Sequence, residues 1–184
     1  SEIDSLNRWK QKVGERQAEI ISRESRERGT SMHDYLQKFL EGKLNLELLG
    51  DNTLEKRMAD EIIENGLRNK VDEIWGVESV VAYPGKYAGA ADLFCVYEKY
   101  QTCVDFKNGN KLRSESWNDT YYLQLAAYSL AHNVVYGTNI DQGVILFCTK
   151  DIVFQRFVIY GDKLKEYQNR FLERVEKYYS SIKK

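Results

Sequence analysis

The stretch Thr102-Cys-Val-Asp-Phe-Lys107 sets an acid and a base two residues apart in a run otherwise suited to a β-strand. Alternation along a strand puts Asp105 and Lys107 on one face and sends Val104 and Phe106 to the other, toward the core. Asp92 stands upstream in Gly89-Ala-Ala-Asp-Leu-Phe94, a small and apolar run in which a carboxylate requires a compensating partner. Two carboxylates on neighbouring strands suit Mg²⁺ or Mn²⁺, hard cations that take oxygen ligands. A lysine beside them would steady the attacking oxygen, and such a site would hydrolyse a phosphodiester by in-line displacement. The triplet alone carries little weight. Acid-x-Lys occurs a second time at Glu41-Gly-Lys43, at a helix end where it means nothing. Context distinguishes Asp105 and Lys107: an apolar strand, a second acid on the preceding strand, and a helix with its own polar pair just after.

That helix carries Gln124 and Tyr128 at i and i+4, stacked on one face. Both a packing role and a place behind the lysine fit them. Lys111, Arg113, Trp117 and Tyr121 combine cations with rings, which suits phosphates and stacked bases of a single strand, although the rings fit a core equally well. His33 lies at the margin of an apolar stripe, where a lone histidine reads first as a packing residue. His132 has no partner pattern and no role is assigned to it.

The elements that must position these groups follow from periodicity. Glu15 to Arg28 reads as a helix that Gly29 interrupts, with Thr30 or Ser31 capping a second helix whose stripe is Met32, Tyr35, Leu36, Phe39 and Leu40. A third helix spans about Leu54 to Leu67. Strand signals begin near Val71, with Val77 to Tyr83, Gly89 to Tyr97 and Thr102 to Lys107, the last two joined as a hairpin across Glu98 to Gln101. A helix over Trp117 to about Val135, strands at Gly143 to Thr149 and Val153 to Tyr160, and a final helix with Leu164, Tyr167, Phe171, Val175, Tyr178 and Ile182 on one side complete the chain. The expected class is α/β: a central mixed sheet flanked by helices, with an N-terminal helical segment.

Length sets the scale. At 184 residues, with one proline and no low-complexity linker, the chain is expected to form one domain, helical over 1–70 and sheet-containing over 71–184. No apolar run approaches the roughly 20 residues of a membrane span, so no membrane partner is expected. The start, Ser1-Glu2-Ile3-Asp4, has no basic and apolar leader, and the expected location is the cytoplasm, that of the host if the gene is a phage's. Cys95, Cys103 and Cys148 are an odd set without Cys-x-x-Cys spacing, which argues against a disulfide scaffold and a four-cysteine zinc site. A net charge of -1 conceals local imbalance: Lys99 to Arg113 holds Lys99, Lys107, Lys111 and Arg113 against Asp105 alone.

In order and element type, Gly29-Thr-Ser-Met-His33, Gly89-Ala-Ala-Asp92, Asp105-Phe-Lys107 and Gln124-Leu-Ala-Ala-Tyr128 resemble the motifs of RecB-type nucleases in the PD-(D/E)XK superfamily. The run from Gly29 to Tyr179 is most similar to phage exonucleases related to the mitochondrial genome maintenance exonuclease. Ala91 stands where the superfamily's name has proline. The resemblance implies a restriction-endonuclease-like core and a DNA exonuclease acting as a monomer with one or two Mg²⁺ or Mn²⁺ ions, preferring single-stranded ends, in replication, recombination, repair or processing. It implies that Asp92 and Asp105 hold the metal with His33 and the carbonyl of Phe106. Lys107 would then position the attacking water, Gln124 and Tyr128 would steady the lysine and the DNA, and Glu78 would be an additional outer acid. Relatives that clamp DNA with an iron–sulfur cluster need four cysteines, so a cluster-free member is implied. Two other readings remain open at this stage: an endonuclease of the same fold, and a nucleic-acid-binding module without turnover.

Overall fold

The computed structural model describes residues 2–43 and 52–183. Helix α1 (Glu2–Val13) leads into α2 (Glu15–Leu40), which runs without interruption through Gly29. The expected break is therefore absent. One glycine in a helix interior costs only about 1 kcal/mol relative to alanine, less than the burial of Met32 and Leu36 on the same helix returns. Gly29 instead permits close approach: a Cβ there would lie 2.8 Å from Oδ1 of Asn108, whose Nδ2 donates to the Ser25 carbonyl at 3.2 Å. Gly29→Ala is expected to lose about 1–3 kcal/mol through this overpacking, despite the better helix propensity of alanine. Urea denaturation checks the sign, and a gain in stability would contradict it.

Helix α3 (Leu54–Ile62) starts at Thr53, whose hydroxyl accepts from Lys56 N at 3.3 Å, and continues into a wide turn over Ile63–Leu67. The strands are β1 (Val71–Tyr83), β2 (Tyr87–Tyr97), β3 (Tyr100–Gly109), β4 (Gln142–Thr149) and β5 (Phe154–Tyr160). The β2–β3 hairpin is tighter than expected, because Tyr97 pairs with Tyr100 and only Glu98 and Lys99 turn, both at positive φ. Their amides are taken up by the Lys70 carbonyl and by Asp72 Oδ2, each at 2.7 Å. Helix α4 (Asp119–Tyr136) begins two residues after Trp117, which lies in a preceding short turn and is 61% exposed. Helix α5 (Gly161–Ile182) closes the chain, and its expected apolar stripe packs only at its start. Leu164 is buried and Tyr167 and Phe171 meet Tyr122 and Tyr87, whereas Tyr178 and Ile182 are exposed.

The five strands form one mixed sheet in the order β1-β2-β3-β4-β5, with β3 and β4 parallel and the other pairs antiparallel. Both faces are covered. Met32, Leu36, Met58 and Ile62 pack on Leu93, Val104, Phe106 and Leu146, and on the opposite face Tyr122, Leu125 and Ala126 of α4 pack on Phe94, Cys103, Ile145 and Phe147. His132 is a core histidine: its ring lies 4.4 Å from that of Phe94 and 5.8 Å from that of Trp75, and Nδ1 is 2.8 Å from the Thr138 hydroxyl.

Candidate active site

The site forms where two strands part. Strands β2 and β3 pair from Tyr97↔Tyr100 to Leu93↔Val104 and no further, while β3 stays paired with β4 as far as Gly109. The next residue of each strand past the last rung is an acid, Asp92 and Asp105. The Asp92 carboxylate replaces the missing rung, its Oδ2 accepting from the Phe106 amide at 2.7 Å. Asp92 and Asp105 are only 8% and 4% exposed, so the acid in the apolar strand has its compensating donor but also a second carboxylate against it. Burial first, then its interaction with Asp105, pushes the Asp92 carboxyl well above the usual carboxylate range, and Glu78 adds to the shift. Glu78 lies opposite Asp92 in the β1–β2 register, between Val77↔Leu93 and Ser79↔Ala91, and its backbone has φ 48°. For a non-glycine residue this is a costly conformation, held beside the carboxylates by the pairing on either side.

Lys107 shares the face of Asp105, as strand alternation requires, and its Nζ is 2.7 Å from Asp105 Oδ2. Oδ2 is nonetheless a buried acceptor without an aligned hydrogen bond, because the ammonium approaches off its hydrogen-bonding direction. Nζ also donates to Gln124 Oε1 at 3.1 Å, and Gln124 Nε2 donates to the Tyr128 hydroxyl at 3.0 Å. The i, i+4 pair of α4 thus stands in line behind the lysine. Burial opposes the charge on Lys107, but the adjacent Asp105 carboxylate outweighs it and the net shift is upward, so the side chain is an ammonium. Tyr128 packs against Gly89, where a Cβ would come 2.5 Å from its ring, and burial raises its phenol above the ordinary value.

His33 reaches the same place from α2. Its Nε2 is 2.6 Å from the Phe106 carbonyl, and a carbonyl can only accept, so Nε2 carries a hydrogen, while Nδ1 faces Asp92 Oδ1 at 3.7 Å. Among the described residues, His33, Glu78 and Asp92 have ligand atoms within 4.8 Å of one another. His33 and Asp92 belong to the expected metal set, and Glu78, which the resemblance made an outer acid, stands beside them. Of the other two expected ligands, Asp105 has Lys107 Nζ 2.7 Å from its Oδ2 and the Phe106 carbonyl has His33 Nε2 at 2.6 Å. The donor set fits a hard divalent cation: one buried and one exposed carboxylate with an imidazole nitrogen, and next to them the buried Asp105 Oδ2 without an aligned donor.

The four residues expected at nucleic acid are placed unequally. Tyr121 lies beside Lys107 and Arg113, with Nζ 4.7 Å and the guanidinium carbon 4.2 Å from its ring centroid. Arg113 also fastens its own loop, with Nε donating to Asn118 Oδ1 at 2.5 Å and Nη2 to the Trp117 carbonyl at 2.5 Å. These two are joined to the site through Lys107. Lys111 and Trp117 are exposed, and Trp117 is tied in through its carbonyl's bond to Arg113. Sequence reasoning passed over Trp9 and Arg26, which line a cleft against His33 and Lys107; they stand on helices whose docking periodicity does not reveal.

A mixed sheet with helices on both faces has a counterpart among solved structures. The crystal structure of a candidate exonuclease from Eubacterium rectale superimposes with a TM-score of 0.56 at 16% identity, covering 84% of this chain and 66% of that one. An alkaline exonuclease from Laribacter hongkongensis gives a TM-score of 0.32 at 14% identity, over 80% of this chain and 79% of that one. The first of these likenesses shows the fold. No protein-family model matches the chain, and no curated protein matches it.

Proposed function

We propose that the chain is a metal-dependent deoxyribonuclease that degrades DNA from single-stranded ends, residues 1–184 forming one nuclease domain. The observation that carries this reading is the fork: two buried carboxylates past the last rung of β2 and β3, with an ammonium 2.7 Å from one of them and a histidine 3.7 Å from the other. His33, Glu78 and Asp92 would hold Mg²⁺ or Mn²⁺, with Asp105 adjoining. The bound ion supplies Lewis-acid polarisation of the phosphoryl oxygen and a water of lowered pKa. The protein's own groups do the rest. Lys107, kept charged by Asp105, lies where it can donate to a phosphate oxygen or to the attacking water, and Gln124 fixes its reach. Tyr128 in turn orients Gln124 through the hydroxyl that accepts from it.

End-labelled single strands incubated with Mn²⁺ test the reading. The parent protein is expected to shorten them and to leave a covalently closed single-stranded circle intact, and Asp105→Ala is expected to be roughly 1,000-fold slower. Equal degradation by the two proteins would overturn the assignment. Cleavage of the circle at the rate of the linear strand would make the enzyme an endonuclease.

A further inference from the structure

A cleft of about 650 Å³ opens beside the fork, between α1, the middle of α2 and the end of β3. It shares His33, Phe106 and Lys107 with the site, so a strand whose phosphate lies at Lys107 has this space next to it. Three features describe its ligand. The volume is within the roughly 300–1,000 Å³ of ligand pockets. No carboxylate lines it, while Arg26, His33 and Lys107 do. Arg26 is exposed and has no ion pair among the described residues, its neighbours Arg23 and Glu27 pairing with each other at 4.0 Å. A cation left free beside a cleft without acids fits an anion.

The third feature is Trp9. Helix α1 buries none of its residues, and Trp9, its one aromatic, is half-buried and faces this cleft with Ile21. A large ring on a helix without a buried face is not there to fill a core. It is suited to stack on a flat partner, and Ser25 and Asn108 supply polar edges nearby. The cleft therefore joins a ring, a free cation and polar side chains at the margin of a site for phosphodiesters.

We infer that the cleft between α1 and α2 is a nucleotide subsite, taking the nucleotide next to the scissile phosphate, with its base on Trp9 and its phosphate on Arg26. This rests on the nuclease reading for the position of the scissile phosphate, but the subsite is measurable without cleavage. Tetrathymidylate is titrated into the full chain in EDTA while tryptophan fluorescence is followed. Saturable quenching is expected in the parent and is mostly lost in Trp9→Leu, which removes no buried residue. Arg26→Ala is expected to bind about tenfold more weakly, while Arg8→Ala, which takes one positive charge from α1 away from the cleft, binds as the parent does. Absence of binding by the parent, quenching that survives Trp9→Leu, or equal effects of Arg26→Ala and Arg8→Ala would each overturn the subsite. The Mn²⁺ cleavage assay decides the other question separately: binding at Trp9 without cleavage ends the nuclease reading and keeps the subsite, and cleavage without binding at Trp9 does the reverse.

Discussion

Asp92→Asn is expected to abolish cleavage while leaving the metal-free protein at least as stable as its parent. The asparagine Oδ1 can still accept from the Phe106 amide, which Asp92 holds at 2.7 Å, so the rung at the fork survives. Its Nδ2 becomes a donor beside Asp105 at every pH, whereas the Asp92 carboxyl can donate there only by holding a proton. The gain has a definite pH dependence. Burial, and Asp105 beside it, raise the folded-state pKa of Asp92 above its unfolded value, so the native protein binds more protons than the unfolded chain. Parental stability then falls as pH rises from about 4 toward the folded pKa, and the variant escapes that loss. Urea denaturation in EDTA should therefore show an advantage for Asp92→Asn that is larger at pH 8 than at pH 5.5, on the order of 1 kcal/mol or more. In Mn²⁺ the ordering reverses, because the parent gains stability from the ion and the variant gains little. Activity should fall by roughly 1,000-fold or more. A variant that keeps substantial cleavage, or that is less stable than the parent at pH 8 in EDTA, would remove Asp92 from the role assigned to it.

The fork itself was half legible in the amino-acid order. Strand alternation is a local rule, and it placed Asp105 and Lys107 on one face and Asp92 on the partner strand of a hairpin. The stripe of Met32 and Leu36 likewise announced which side of α2 meets the sheet. What escaped are the features set by tertiary approach. Gly29 has the composition of a helix break, and only the proximity of Asn108 shows it to be a point of contact inside one long helix. The approach of Glu78 to His33 and Asp92, and of Lys107 to Asp105, is a matter of side-chain reach that spacing does not encode. Trp9 and Arg26 lie far along the chain from Asp92 and reach the site because α1 and α2 fold back beside β3. Periodicity identifies a helix and its inner face, but not the element that its outer residues will border.

Lys107→Met should expose the second side of the same electrostatic arrangement. The methionine fills most of the lysine's volume, so packing is largely kept and the change is one of charge. Asp105, whose side chain is 6% exposed, then faces Asp92 with no cation at 2.7 Å, and Gln124 loses the donor at 3.1 Å. Breaking a buried ion pair from one side costs about 3–5 kcal/mol, and the full value is expected only where both carboxylates would otherwise ionise. The carboxyl pair responds by holding a proton to higher pH, so the folded-state pKa rises further above the unfolded value and stability is lost as pH increases above about 4. The deficit in EDTA is thus larger at pH 8 than at pH 5.5, the same direction as for the parent and of greater size. A divalent cation restores part of the missing positive charge, so Mn²⁺ should raise the melting temperature of Lys107→Met by more degrees than that of the parent. Cleavage should nevertheless stay roughly 100-fold or more below the parent, because the ion stabilises the carboxylates without replacing the ammonium that contacts phosphate or water. The pair of readouts separates two roles for Lys107. If Mn²⁺ restored both stability and rate, the lysine would serve only to neutralise the acids, and if the metal-free stability were unchanged at pH 8, the contact with Asp105 would carry no energy worth the name.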